Sequence, residues 1–296
     1  MLNLANLFTA ANMISGIMAI LFTFCGRIDL APFAILLGAL FDFFDGFTAR
    51  KLKVNGALGK QLDSLADMVT FGVAPGVITM YVLAISVEGF WSLYELNLIE
   101  SAGLNDKKAI LDFMEYFFHS WSGYWFSGDE VFAGYSYSGK GGSMNALIPF
   151  LALSIPVFSL FRLAKFNIDK RQSESFIGLP TPAMTVFFLT FPLILCYQLP
   201  ASVWGVKVAS IAMHPLFLIA YIVLFSVLMV SEIPLFSLKF KTVKWKGNQR
   251  RYVFLLISLL LIVVFRAWSF ALIVFLYLTL SMIENSQKRR KNEIQS

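Results

Sequence analysis

A chain of 296 residues that is 58% hydrophobic and only 14% charged lies outside the soluble globular class, where about 25% of residues carry charge, and inside the membrane class. Its formal charge of +6 does not argue for nucleic acid, because the lysines and arginines are confined to short loops between apolar runs, as membrane topology requires. Cys25 and Cys196 each stand alone inside an apolar run, in no CxxC pair, which argues against a disulfide or a thiolate metal site.

The N-terminal apolar run lacks a basic n-region and a small-residue cleavage pattern, so it is expected to stay in the mature protein. Eight candidate spans follow, at 7–26, 31–50, 61–86, 145–162, 181–199, 207–230, 252–266 and 268–284. Several approach the roughly 20 residues that a helix needs to cross the hydrocarbon core. Arg266 splits the last apolar run, which predicts a tight hairpin there. The expected fold is an all-α polytopic bundle of about eight transmembrane helices, with residues 1–296 forming a single transmembrane domain.

Charge placement orients the bundle. With a cytoplasmic N-terminus, the loops on that side collect Arg50, Lys51, Lys53 and Lys60, then Arg162, Lys165, Lys170 and Arg171. They go on to collect six bases between Lys239 and Arg251, and four between Lys288 and Lys291. The opposite side keeps Arg27, Lys107, Lys108, Lys140, Lys207 and Arg266. This bias follows the positive-inside rule and places both termini in the cytoplasm. Residues 87–144 become a long non-cytoplasmic insertion rich in aromatics, with an interfacial helix expected over Lys107–Phe118; the alternative is an insertion without chemistry. Residues 285–296 form a basic cytoplasmic tail. His119 and His214 are isolated and receive no role.

The chemistry concentrates between Phe41 and Gly72. Asp42 and Asp45 close one apolar span, and Asp63 and Asp67 open the next. Charged groups at membrane depth need a partner or a water-filled cavity. Asp42 and Asp45 are spaced i, i+3 and Asp63 and Asp67 i, i+4, so each pair shares a helix face. A short loop joins the two helices, so they are expected to pack antiparallel with their acids converging. Four carboxylates without histidine or cysteine suit a hard divalent cation, Mg2+ or Mn2+. Gly46, Ala49 and Gly59 permit close approach of a ligand or of a neighbouring helix. Metal, groove and lipid setting suggest phosphoryl transfer. The acids alone leave a cation transporter open.

Written out, these residues read Asp42-x2-Asp45-Gly46-x2-Ala49-Arg50-x8-Gly59-x3-Asp63-x3-Asp67. The pattern resembles the signature of the CDP-alcohol phosphatidyltransferases at every defined position and gap. The resemblance implies Asp42, Asp45, Asp63 and Asp67 as metal ligands, Asp67 also as general base, and Gly46, Ala49, Gly59 and Arg50 beside the nucleotide. Asn6 and Thr9 resemble the family's opening Asn-x2-Thr near the diphosphate, with Ala5 where many members have proline. Phe161–Asn167 (FRLAKFN) and Phe176–Ala183 (FIGLPTPA) resemble the branch that uses L-serine, with Lys165 where arginine is more usual. The first span resembles that branch too, with Asn12 in place of a charged residue common elsewhere in the family. The implied activity is transfer of a phosphatidyl group from CDP-diacylglycerol to the serine hydroxyl with release of CMP, in a homodimer at the bilayer. Glycerol 3-phosphate, inositol phosphate and choline are the alternative acceptors. Arg162 or Lys165 is expected to hold the serine carboxylate, and Asn167 to orient the substrate.

Overall fold

The computed structural model describes residues 3–52, 56–87, 107–126, 147–169, 176–198, 203–235 and 248–295. The expectations for Lys53, Lys170, Arg171 and most of the 87–144 insertion fall outside these residues.

Helices α1 (Leu4–Phe24) and α2 (Ala31–Leu52) form an antiparallel pair joined by a tight turn. Next comes a continuous helical run made of α3 (Ala57–Met68), a π-turn (Val69–Val73) and α4 (Ala74–Val87). Helix α5 (Lys107–Phe126) precedes a 3-10 turn (Ile148–Leu153) that leads into α6 (Ser154–Ile168). The remaining helices are α7 (Thr181–Tyr197), α8 (Val203–Ala212), α9 (Pro215–Val230), α10 (Gln249–Phe265) and α11 (Ser269–Gln295). The all-α expectation has one small exception among the described residues. Strands β1 (Phe176–Ile177) and β2 (Pro234–Leu235) pair antiparallel, Phe176 with Leu235 and Ile177 with Pro234.

The expected eight spans are recovered only in part. Five stretches are long and apolar enough to cross a membrane: Leu4–Phe24, Ala31–Leu52, Ala57–Val87, Ile148–Ile168 and Arg251–Gln287. Thr181–Tyr197 and Pro215–Val230 are apolar but shorter. The predicted 207–230 span is broken into α8 and α9, because Pro215 has no N–H to continue the ladder and forces His214 out of helical geometry, to ψ 139°. His214 becomes the cap, its Nδ1 accepting from the Leu216 N–H. The 251–287 stretch turns back at Arg266, the sole positive-φ residue other than glycine among those described (φ 49°). The Phe254 and Tyr277 rings then meet at 6.2 Å, so α10 and α11 form the expected hairpin.

Burial separates an axis from a periphery. Over an apolar stretch of 18 residues the Ala57–Val87 span is 83% buried, against 17% for the equivalent stretch of Arg251–Gln287, and 13 of the 17 residues of α7 are inside. Helices apolar all round occupy the bundle centre, and the others turn one stripe inward and one outward. The axis is close-packed where side chains are small. A Cβ at Gly76 would lie 2.7 Å from Pro156 Cδ, one at Gly72 3.0 Å from Ser159 Cβ, and one at Gly16 2.6 Å from Thr70 Oγ1. These contacts bring α6 against the α3–α4 run in antiparallel register, and α1 against the π-turn.

The aromatic helix expected at an interface packs one face on this core. Ile110, Met114, Phe118 and Trp121 form one buried stripe of α5, with Phe118 stacked on Tyr81 at 4.4 Å and Trp121 against Phe150 at 5.3 Å.

Candidate active site

The acids converge as their spacing predicts, through an element that the spacing did not show. Helix α1 packs along α2 and also against α3, so one helix serves both acidic pairs. Its Asn6, Thr9 and Asn12, three residues apart, form a polar row facing them. A Cβ at Gly59 would lie 3.7 Å from Asn6 Oδ1. Thr9 Oγ1 donates to Asp45 Oδ2 at 2.8 Å. Asn12 Nδ2 donates to Asp67 Oδ1 at 3.2 Å. The Asn12 contact escaped the sequence reading, and the i, i+3, i+6 spacing of these residues is the signal that could have found it.

Asp42, Asp63 and Asp67 each bring a carboxylate oxygen to within 4.8 Å of the others. Asp45 stands outside that triplet, buried and hydrogen-bonded to Thr9. Among the described residues no lysine or arginine forms an ion pair with any of the four. A concentration of half-buried negative charge without protein counter-charge is the arrangement that a hard cation relieves. Ligands of an octahedral Mg2+ sit about 3 Å apart when adjacent and about 4 Å apart when opposite, at metal–oxygen distances of 2.0–2.1 Å, so the triplet fits a divalent ion after sub-ångström adjustment.

Beside the acids, a Cβ at Gly46 would come no nearer to the described residues than Arg50 Nη1 at 3.7 Å, an ordinary contact, so no described element packs tightly on α2 there. Ala49 is half-buried next to it, and Arg50 is exposed.

The facing wall is the last two turns of α6. Register continues from the glycine contacts: Arg162 lies at the level of Asp67 and within electrostatic range of it, and Asn167 lies at the level of Ser64. Asn167 Nδ2 donates to Ser64 Oγ at 2.8 Å, and Lys60 Nζ donates to the Asn167 carbonyl at 2.8 Å. Lys60 and Ser64 were missed as contributors, although Lys60, Ser64 and Asp67 share one helix face. Asn167 Oδ1 is buried without a donor among the described residues.

Arg162 is only 6% exposed. Its Nε donates to the Leu179 carbonyl at 2.8 Å, and its guanidinium stacks over Phe166 at 5.4 Å. Both terminal nitrogens are left without a hydrogen-bond partner among the described residues. Lys165 does not join it: Lys165 Nζ pairs with Glu232 at 3.2 Å. The Leu179 carbonyl is itself fixed. Leu179 N donates to Leu228 O and Gly178 N to Ile233 O, each at 2.9 Å. Gly178 has φ +75°, and a Cβ there would lie 2.5 Å from the Met229 carbonyl, so only glycine fits.

The profile described as CDP-alcohol phosphatidyltransferase matches residues 2–98, which contain the whole acidic cleft. A Bacillus subtilis CDP-diacylglycerol–serine O-phosphatidyltransferase is 31% identical over 185 residues, covering 62% of this chain and 72% of the relative. The chain belongs to the CDP-alcohol phosphatidyltransferase family. The likeness to a Helicobacter pylori CDP-diacylglycerol–serine O-phosphatidyltransferase is longer, 29% over 280 residues, covering 94% of this chain and 89% of the relative. An archaetidylserine synthase of Methanothermobacter thermautotrophicus is 40% identical over 78 residues, 25% of this chain and 33% of that protein. As a CDP-alcohol phosphatidyltransferase with several apolar helical stretches long enough to cross a bilayer, the protein is an integral membrane enzyme. The family is generally dependent on a divalent metal, which the Asp42–Asp63–Asp67 cluster fits. Family membership sets aside the cation transporter.

Proposed function

We infer that this enzyme transfers the phosphatidyl group of CDP-diacylglycerol to the hydroxyl of L-serine, producing phosphatidylserine and CMP. The observation that carries the reading is the buried Arg162 guanidinium, held by Leu179 and Phe166 at the level of Asp67 with its terminal nitrogens unengaged among the described residues. A planar fork is the natural receptor for a carboxylate. Arg162 binds the serine carboxylate, and the unpartnered Asn167 Oδ1, one and a half turns along α6, accepts from the serine ammonium. The relatives named as serine transferases support the same acceptor. Lys165 is engaged with Glu232 and is the weaker of the two cations considered for this role.

Asn6, Gly46, Ala49, Arg50 and Gly59 line the nucleotide side of the cleft, and Thr9 orients Asp45. Asp42, Asp63 and Asp67, with Asp45 beside them, would hold Mg2+ or Mn2+, which when bound would neutralise charge on the diphosphate. Asp67 accepts the serine hydroxyl proton as the oxygen forms its bond to the lipid-side phosphorus. The bond from that phosphorus to the CMP oxygen breaks, and CMP leaves with the electron pair. The acyl chains stay in lipid beside α1 and α2, whose outward faces carry Leu4, Leu7, Phe43 and Phe47.

We place the cleft and both termini in the cytoplasm, with eight crossings, counting α7, α8–α9 and the two arms of the α10–α11 hairpin, and with the enzyme acting as a homodimer. Single cysteines in a Cys25- and Cys196-free protein test the topology. Gly56 and Gln249, both exposed, label from the cytoplasmic side and Asp112 from the other; labelling of residues 56 and 112 from one side breaks the count.

The activity is tested with purified enzyme in detergent–lipid micelles. Labelled L-serine enters a chloroform-soluble product, with stoichiometric CMP, only when CDP-diacylglycerol is present. EDTA stops the reaction and Mg2+ or Mn2+ restores it. Reaction with glycerol 3-phosphate, inositol phosphate or choline in place of serine overturns the acceptor assignment.

A further inference from the structure

Asn12 is wholly buried, with 0% of its surface exposed, in the middle of the α1 face that meets the π-turn. Its backbone is pinned by Thr70, whose Oγ1 donates to the Asn12 carbonyl at 2.9 Å. Its amide nitrogen donates to Asp67 Oδ1 at 3.2 Å. Its amide oxygen receives no hydrogen bond among the described residues and lies against Gly38, where a Cβ would come within 3.0 Å of it. The reverse orientation of the amide would set that oxygen against the Asp67 carboxylate, so the donor must face the acid.

Leucine has nearly the same shape and leaves nothing unpaired. An asparagine with half its amide unsatisfied is a poor choice for packing, and the bond to Asp67 is what distinguishes it.

We propose that Asn12 is a positioning residue for the reaction: it fixes the Asp67 carboxylate so that one oxygen is occupied by the Asn12 amide while the other is presented to the metal and the acceptor hydroxyl. Partners of this kind, one step behind a ligating group, typically contribute about 10- to 100-fold in metal affinity or activity. The proposal rests on the role given to Asp67 above. It is independent of which alcohol is the acceptor.

The probe is Mn2+ alone, titrated by electron paramagnetic resonance into the purified full-length protein without substrate, alongside steady-state kinetics. Asn12→Leu is expected to weaken Mn2+ binding about tenfold and to lower kcat about 10- to 100-fold, with the KM for CDP-diacylglycerol changed by no more than about twofold. Its unfolding midpoint in detergent stays at or above that of the parent protein. In an Asp67→Asn background the same substitution changes Mn2+ affinity by no more than about twofold, because a residue acting through another is silent once that other is gone. Asn12→Ala, which removes the amide without adding branches, gives the same pattern and keeps the test decisive if leucine does not fit.

Wild-type Mn2+ affinity and kcat in both variants overturn the proposal. So does an equal loss in the Asp67→Asn background, or a midpoint lowered by many degrees in both variants. If Asp67→Asn alone leaves Mn2+ affinity unchanged, the role of Asp67 falls and the proposal with it. If Asp67→Asn weakens Mn2+ and the Asn12 variants do not, this proposal alone fails.

Discussion

The two walls of the cleft are held in opposite ways. On the α1–α3 side, three carboxylates crowd within 4.8 Å, with single hydrogen bonds from Thr9 and Asn12 as the supports to the acids given above. That wall is left electrostatically open, and in the proposed mechanism a cation and a diphosphate would complete it. On the α6 side the main functional group is a cation that the protein has already fixed. Arg162 is clamped by a carbonyl, a ring and a glycine turn before any ligand arrives. On the proposed roles, the acidic wall gains order when its ligands bind, and the basic wall brings order to the acceptor. Substitutions on the first should be felt in metal binding and turnover, and those on the second in the requirement for serine.

The largest effect expected is on the acidic wall. Asp67→Asn should lower turnover by about 10² to 10⁴, the usual cost of losing a general base, while CDP-diacylglycerol still binds in an equilibrium assay. Turnover within tenfold of the parent would remove the distinction between the walls. Arg162→Ala should raise the KM for serine by about 10- to 100-fold, since a hydrogen bond to a charged group contributes about 1.5–3 kcal/mol, with the KM for CDP-diacylglycerol little changed. Arg162→Lys should not restore it, because one ammonium cannot serve the Leu179 carbonyl and a bidentate carboxylate together. Equal increases in both KM values would mean that the basic wall is not specific to the acceptor.

A smaller effect is expected one step behind Arg162. Gly178→Ala forces a side chain into a left-handed backbone and against the Met229 carbonyl. The strain costs about 1–3 kcal/mol, which should appear as a lower unfolding midpoint and a serine KM raised less than by Arg162→Ala. The least is expected at Lys165. Its pair with Glu232 is solvent-accessible, and such pairs contribute about 0–1 kcal/mol, so Lys165→Met should change stability and the serine KM by no more than about twofold. A change as large as that of Arg162→Ala would reassign the carboxylate site.

Metal-ligand geometry demands close sequence spacing, so the acidic wall was legible from Asp42 to Asp67 as one string. Which acid would stand apart was not, because Asp45 is turned toward Thr9 by the packing of α1. On the basic wall, Arg162 and Lys165 share a helix face on paper. Glu232, 67 residues away, separates them, and no local spacing reports it. The break at Pro215 was readable from the proline itself, whereas the docking of α5 was not: aromatic enrichment fits a lipid headgroup layer and a protein groove equally well. Phe118 and Trp121 meet Tyr81 and Phe150, residues distant in the chain that no local spacing points to.

The antiparallel register of α6 on the α3–α4 run also bears on how the enzyme is made. Residues 2–98 emerge from the ribosome first and carry every acid of the cleft, but the surfaces at Gly72 and Gly76 remain without Ser159 and Pro156 until α6 follows. Until then the nascent chain holds the acids in a groove with one wall. Completion of the second wall thus waits on α6, and a chain stopped before Ile148 carries the acids without Arg162, the residue proposed to receive the acceptor.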